Sequence, residues 1–145
     1  MISPDLTRND PNTLKSSGGP ITQDNTGVEY YGTIFAATES PYEKGLLWTG
    51  SDDGLVHVTK NGGKDWENVT PKQMPEWMMI NCIEVDPFNK GGAYIVGTKY
   101  KSGDYKPYIY KTENYGKSGN VIVNGRGIEH FTRALRSGSK KKGLL

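Results

Sequence analysis

Four carboxylates are the residues whose type could do chemistry in this 145-residue chain: Asp24, Glu29, Asp52 and Asp53. Two carboxyl groups facing each other across a sugar–sugar bond are the usual requirement for hydrolysing that bond, and some enzymes use a tyrosine nucleophile with an arginine cluster instead. Neither arrangement can be assigned from the spacing, so the catalytic residues stay unknown. Asp52-Asp53-Gly54 also fits a tight hairpin turn, in which Asp-Gly is a favoured pair.

Two aromatic positions are candidates for ligand contact. Glu29-Tyr30-Tyr31 opens a predicted strand after a long loop, where ligand contacts are common, although packing at a buried strand start explains it as well. Trp77, followed by two methionines, could stack on a sugar ring or fill the space between neighbouring sheets. The candidate ligand-binding set is therefore Asp24, Glu29, Tyr30, Asp52, Asp53 and Trp77.

The two histidines and the single cysteine give no metal site. Zinc and iron sites need several clustered ligands, and the sequence does not supply that spacing. A cation site built from Asp24, Asn25 and Asp52 is conceivable, but no further residue supports it. Because the sequence also lacks a glycine-rich phosphate loop and a serine nucleophile elbow, we expect no cofactor.

The charge balance argues against nucleic acid as a partner. The chain has 18 basic and 16 acidic residues, a net charge of +2, which is too even for a surface that binds nucleic acid or an anionic membrane. The basic residues between Arg133 and Lys142 fit a solvated strand end and turn better than a binding patch. No apolar stretch has the length of a membrane span, and the first residues do not resemble a signal peptide.

An internal repeat organises the chain and predicts short strands. One segment covers residues 33–50 and its counterpart begins at Met79 and ends at Gly97; each reads as a strand, a proline-containing turn and a second strand. Third strands are predicted at 55–59 and 108–112, and fourth strands at 67–70 and 120–124. Four short strands per unit, with equivalent positions 46 to 53 residues apart, are close to the size of a β-propeller blade.

Each repeat carries a matching turn between its third and fourth strands. The first turn contains Thr59, Asn61, Gly63 and Trp66, and the second contains Thr112, Asn114, Gly116 and Ser118. An Asn side chain bonds neighbouring backbone amides, glycine permits the positive φ of a tight turn, and tryptophan packs across it. Gly119 takes the tryptophan position in the second turn, so we expect that turn to be held less firmly.

These turns resemble the Asp-box, or bacterial neuraminidase repeat, of sialidases, sortilin-type receptors and xyloglucan-active glycosidases. The pattern is Ser/Thr-x-Asp/Asn-x-Gly-x-Thr/Ser-Trp, and Asp65 and Gly119 depart from it. The resemblance implies that the turn residues are structural and not catalytic. It also implies a secreted or periplasmic parent protein, either a glycan- or protein-binding scaffold or a glycoside hydrolase whose catalytic residues lie largely outside this stretch.

The sequence therefore predicts an all-β fold, a partial β-propeller with four-stranded antiparallel blades. Two blades cannot close a ring, so we expect further blades of the parent as partners and self-association of the isolated chain. The predicted organisation is a closing strand of a preceding blade at 1–6, a connecting loop at 7–27, blades at 28–72 and 78–124, and the start of an incomplete blade at 130–145.

Overall fold

A computed structural model of the chain describes residues 2–14, 30–124, 130–143 and 145. The described residues form two four-stranded antiparallel sheets, each in the order of its strands along the chain. The first sheet contains β1 (Ile34–Glu39), β2 (Leu47–Ser51), β3 (Val56–Thr59) and β4 (Glu67–Asn68). The second contains β5 (Met79–Val85), β6 (Ala93–Lys99), β7 (Asp104–Thr112) and β8 (Gly119–Asn124). A 3₁₀ turn, Tyr100–Ser102, lies between β6 and β7.

The two sheets repeat each other residue by residue. Ile34 pairs with Ser51, and Ile80, which lies 46 residues after Ile34, pairs with Gly97 in the same way. Each first strand has a bulge directly after this pair. The third strands are 53 residues apart, since His57 pairs with Thr49 as Tyr110 pairs with Ile95. The longer spacing arises because the hairpin between β6 and β7 contains the 3₁₀ turn.

One hydrophobic core lies between the sheets. Trp48 and Val56 of the first sheet are fully buried in a cluster with Ile80 and Ile95 of the second. Gly50 allows the close approach, because a Cβ at this position would lie 2.3 Å from the Ile80 side chain. β5 therefore packs against β1 and β2, as the innermost strand of one blade packs on its neighbour.

The same face of each sheet is covered by the part of the chain that follows it. Tyr94 and Ile109 are the repeat equivalents of Trp48 and Val56, and they form a second cluster with Leu135. The face of the first sheet that carries Trp48 is thus covered by the second sheet, and the matching face of the second is covered by the segment around Leu135. This is the relation between successive propeller blades.

The two predicted strands at the ends of the chain are not formed. Residues 2–6 lie in no strand, and Leu6 is buried. Residues 131–138 are also without regular structure, although Leu135 packs on the second sheet and the Ser137 amide donates to Glu84 Oε1 at 3.1 Å. A strand needs a neighbouring strand to pair its backbone groups, and the described residues offer neither segment such a partner.

Differences elsewhere concern element bounds. β4 ends at Asn68, short of the predicted 67–70, and β7 starts at Asp104, earlier than the predicted 108. Residues 7–14, the described part of the predicted 7–27 loop, contain a turn and no strand. Residues 15–27 lie outside the described ranges.

No helix that is long and apolar enough to cross a membrane occurs in the described part of the chain.

Candidate functional site

Asp52 lies in the hairpin between β2 and β3, where its carboxylate holds the start of β1. Its Oδ1 accepts hydrogen bonds from the backbone amides of Gly32 and Thr33, both at 2.9 Å. Its Oδ2 lies 3.6 Å from Lys101 Nζ, and the residue is only 3% exposed. The carboxylate is therefore engaged by the chain on both oxygens.

Asp53 holds the N-terminal segment in the same way. Its Oδ2 accepts the Arg8 amide at 2.7 Å, its Oδ1 accepts the Ser51 hydroxyl, and its backbone carbonyl accepts Arg8 Nε at 2.9 Å. The residue is 1% exposed. A buried carboxylate with these partners stabilises the fold and is poorly placed to exchange a proton with a substrate. The prediction of a tight turn at 52–54 agrees with this geometry.

Two aromatic rings and two cations surround these carboxylates. The Tyr31 and Trp77 rings meet edge to face, with centroids 5.2 Å apart. The Arg8 guanidinium carbon lies 5.1 Å from the Trp77 ring centroid, and Lys101 Nζ lies 4.5 Å from that of Tyr31. Burial raises the pKa of the Tyr31 hydroxyl, and the charge of Asp52 adds to the effect. Both rings are thus fixed by cation–π contacts of the chain itself.

The aromatic surface continues along the same end of the strands. The Phe131 ring lies 6.2 Å from both Tyr100 and Tyr105, and the Arg133 guanidinium lies 5.1 Å from the Phe131 centroid. Tyr105 is 55% exposed and Arg133 is exposed. We call this surface the aromatic ledge; it consists of Arg8, Tyr31, Trp77, Tyr100, Lys101, Tyr105, Phe131 and Arg133.

The structure brings together three of the six candidate ligand-binding residues: Asp52, Asp53 and Trp77. Tyr30 is half-buried beside Tyr31, while Asp24 and Glu29 lie outside the described residues. Sequence reasoning missed the cations and the other rings of the ledge. Only the Tyr30-Tyr31 doublet gave a signal for them, because Arg8, Lys101 and Phe131 come from separate segments that the fold assembles.

The first of the two matching turns is held by three polar side chains. The Thr59 hydroxyl donates to Asn61 Oδ1 at 2.9 Å and accepts the Gly63 amide at 3.1 Å. Asn61 Oδ1 accepts the Asp65 amide at 3.0 Å, and Asn61 Nδ2 donates to Asp65 Oδ2 at 2.7 Å. Gly63 has a φ of 92°, a conformation that favours glycine.

The second turn repeats this pattern with different residues. Thr112 Oγ1 accepts the Gly116 amide at 3.0 Å, and Asn114 Oδ1 accepts the Ser118 amide at 2.9 Å. Asn114 Nδ2 donates to Ser118 Oγ at 2.8 Å. Ser118 therefore does what Asp65 does in the first turn. The eight residues predicted to be structural all lie in these two turns, opposite the ledge along the strands.

The turns differ at their last position. Trp66 Nε1 donates to the carbonyl oxygens of Gly63, at 3.1 Å, and of Ile2, at 3.2 Å. Gly119, the first residue of β8, has no side chain to make the corresponding contacts. The first turn is thus joined to the N-terminal segment by an indole, whereas the second turn is not joined in this way to the segment after β4.

The described residues contain no group of three or more His, Cys, Asp or Glu side chains able to hold a metal ion. His57 is half-buried on β3, and burial lowers the pKa of its imidazole. His130 is exposed, and Cys82 is a free thiol near Leu135.

The two packed sheets have matching strand registers, and the same face of each sheet is covered by the next part of the chain. These features define the fold as that of a partial β-propeller. The chain is similar to the solved structure of YCF48 from Cyanidioschyzon merolae, a β-propeller protein, with a TM-score of 0.55 and 16% sequence identity. The similarity covers 72% of this chain and 30% of that chain. It shows the fold alone, and it confirms the prediction of an all-β partial propeller.

No protein-family model matches the chain, and no curated protein sequence matches it.

Proposed function

We propose that this chain is a non-catalytic binding and scaffold region of an extracellular Asp-box β-propeller, which recognises a glycan or a protein through its loops. The proposal rests on a difference in exposure between two groups of residues at one end of the strands. Asp52 and Asp53 are buried and engaged by backbone amides and by Lys101 and Arg8, whereas the ledge above them presents the exposed ring of Tyr105 and the exposed guanidinium of Arg133.

The paired turns support the Asp-box assignment. Both use a Thr hydroxyl and an Asn side chain to accept backbone amides four residues further along the turn. Both place a glycine with positive φ at the fifth position. A tight turn with these features stabilises a hairpin and offers no catalytic group, which is the role that the resemblance implies.

The chemistry of the ledge favours a glycan, and an anionic one in particular. Tyr105 presents an exposed ring next to Phe131, and the C–H face of a sugar packs on such a ring. Arg133 is exposed beside these rings, and a guanidinium binds a carboxylate through paired hydrogen bonds. A sialylated oligosaccharide offers both an apolar sugar face and a carboxylate.

The test is a titration of the full chain with sialyllactose, lactose and a xyloglucan oligosaccharide, monitored by calorimetry and by amide chemical shifts. We expect sialyllactose to bind more tightly than lactose and to shift the amides of the ledge. Tyr105→Ala should weaken binding about fivefold, since one stacked ring contributes about 1 kcal/mol. Phe88→Ala is the matched control, because Phe88 is also exposed (44%) but lies in the turn between β5 and β6, at the opposite end of the strands.

Binding of none of the three sugars would contradict the glycan assignment. Release of sialic acid or of shorter glucan products during the titration would instead favour the glycoside hydrolase alternative.

A further inference from the structure

Residues 2–5 lie against the first matching turn in the same place that residues 69–72 lie against the second matching turn. A Cβ at Gly63 would lie 2.1 Å from the Ile2 carbonyl oxygen, and a Cβ at Gly116 would lie 2.3 Å from the Val69 side chain. Gly63 and Gly116 are equivalent in the repeat, so Ile2 and Val69 take the same place, but Ile2 meets its turn through the backbone carbonyl and Val69 through its side chain. Each turn thus touches the stretch that precedes its own blade in the chain.

At the first turn, this contact is completed by the Trp66 side chain. Its indole lies between the turn and Ile2 and donates to a carbonyl on each side. The repeat makes the carbonyls of Gly116 and Val69 the counterparts of these two acceptors. At the second turn the residue in the tryptophan position is Gly119, so the chain supplies no ring to lie between them.

An open groove of about 400 Å³ lies at this place. It is bounded by residues 67–73 on one side and 116–119 on the other. Val69 and Pro71 are the apolar side chains of its lining, and they also line a narrow cleft beside it. The volume of the groove is within the roughly 300–1,000 Å³ of pockets that hold small organic ligands, and its rim carries the charged residues Glu67, Lys72 and Lys117.

We propose that this groove is a docking site for a tryptophan side chain from another protein segment. The occupant cannot be a tryptophan of this chain, because all three have other places. Trp48 is buried in the core, Trp66 closes the first turn, and Trp77 lies in the ledge. The site lies opposite the ledge along the strands, so it is independent of the proposed glycan-binding function.

A tryptophan fits better than another apolar side chain because of the acceptors that an indole finds in the first turn. An indole combines a large apolar surface with one N–H donor, and a partly buried site satisfies it only when an acceptor is in reach. Trp66 shows that this fold supplies two such acceptors in this geometry. Tryptophans that enter a prepared pocket are also typical anchors of protein interfaces.

The test is titration of the isotope-labelled full chain with N-acetyltryptophanamide, monitored by amide chemical shifts, with N-acetylleucinamide as the matched control ligand. We expect saturable shifts confined to residues 67–73 and 116–119, and at least tenfold weaker binding of the leucine compound. Gly119→Trp should abolish the shifts, because its own ring fills the groove. Trp66→Gly should create a second set of shifts around residues 2–5 and 61–66.

Gly119→Trp adds a side chain and leaves the core unchanged, so it decides the question even if Trp66→Gly fails to fold. The proposal is overturned if the tryptophan compound shifts residues elsewhere, if it binds no better than the leucine compound, or if Gly119→Trp leaves the shifts unaltered.

Discussion

Trp66 and Gly119 occupy the same position in two turns that are otherwise held by the same hydrogen bonds. Trp66 Nε1 donates to Gly63 and Ile2, whereas Gly119 leaves a groove between the second turn and residues 67–73. The hydrogen bonds of Thr112 and Asn114 persist without the indole. The turn conformation is therefore set by its polar residues, and the indole adds contact between the turn and the neighbouring segment.

Filling this groove from within should stabilise the chain. Gly119→Trp adds a ring beside Val69 and Pro71, and filling a cavity of this kind commonly adds about 0.5–2 kcal/mol. Urea unfolding at constant pH measures the change in the free energy of unfolding. Gly119→Ala is the control, because a Cβ there would meet Lys111 and Pro71 only at ordinary distances of 3.6–4.0 Å. Equal stabilities of the two variants would show that the ring finds no site.

Gly50→Ala should destabilise the fold. The new Cβ would lie 2.3 Å from the Ile80 side chain, in the core between the sheets, and overpacking of this kind costs about 1–3 kcal/mol. Ile80→Ala in the Gly50→Ala background should cost less than the sum of the two single changes, because it removes the Ile80 Cγ2 atom that lies nearest the new Cβ. Strict additivity in urea unfolding would contradict a direct contact between Gly50 and Ile80.

Protonation of His57 should lower the stability of the chain in acid. Burial lowers the pKa of this imidazole below its usual 6.5 in the folded chain, so the unfolded chain binds the proton more tightly. The free energy of unfolding should therefore fall as the pH drops from about 6.5 through the lower folded pKa. His57→Gln should remove this part of the pH dependence, whereas His130→Gln, at an exposed position, should retain it. Parallel pH profiles for the parent chain and His57→Gln would refute the assignment.

Much of the fold could be predicted from the sequence because the repeat is local in nature. Alternating apolar residues, a proline turn and a Thr-x-Asn-x-Gly turn recur in the same order, and each fixes structure over a few residues. The register is then determined as well, as the paired bulges after Ile34 and Ile80 illustrate. The end segments differ from the prediction because a strand also depends on its neighbour, which the repeat pattern does not report.

The ledge could not be predicted for the opposite reason. Arg8 meets Trp77, and Lys101 meets both Tyr31 and Asp52, only because two blades and the N-terminal segment pack together. The Asp53-Gly54 pair alone is enough to indicate a turn at the carboxylates. The hydrogen bond between Asp53 and Arg8 forms only in the tertiary fold, and no local sequence pattern indicates it.

Loss of the Asp53 charge should release the N-terminal segment from the first sheet. Asp53→Asn replaces the oxygen that accepts the Arg8 amide and disturbs the bond with Ser51. Hydrogen bonds to charged groups contribute about 1.5–3 kcal/mol each, so we expect a loss of about 2 kcal/mol in the free energy of unfolding. Amide exchange should become faster at Arg8. Glu76→Gln, at an exposed position next to Trp77, controls for the loss of a negative charge near the ledge and should change neither quantity. If Asp53→Asn left exchange at Arg8 unchanged, the carboxylate would not be what holds the segment, and its burial would have to be explained by the β2–β3 hairpin alone.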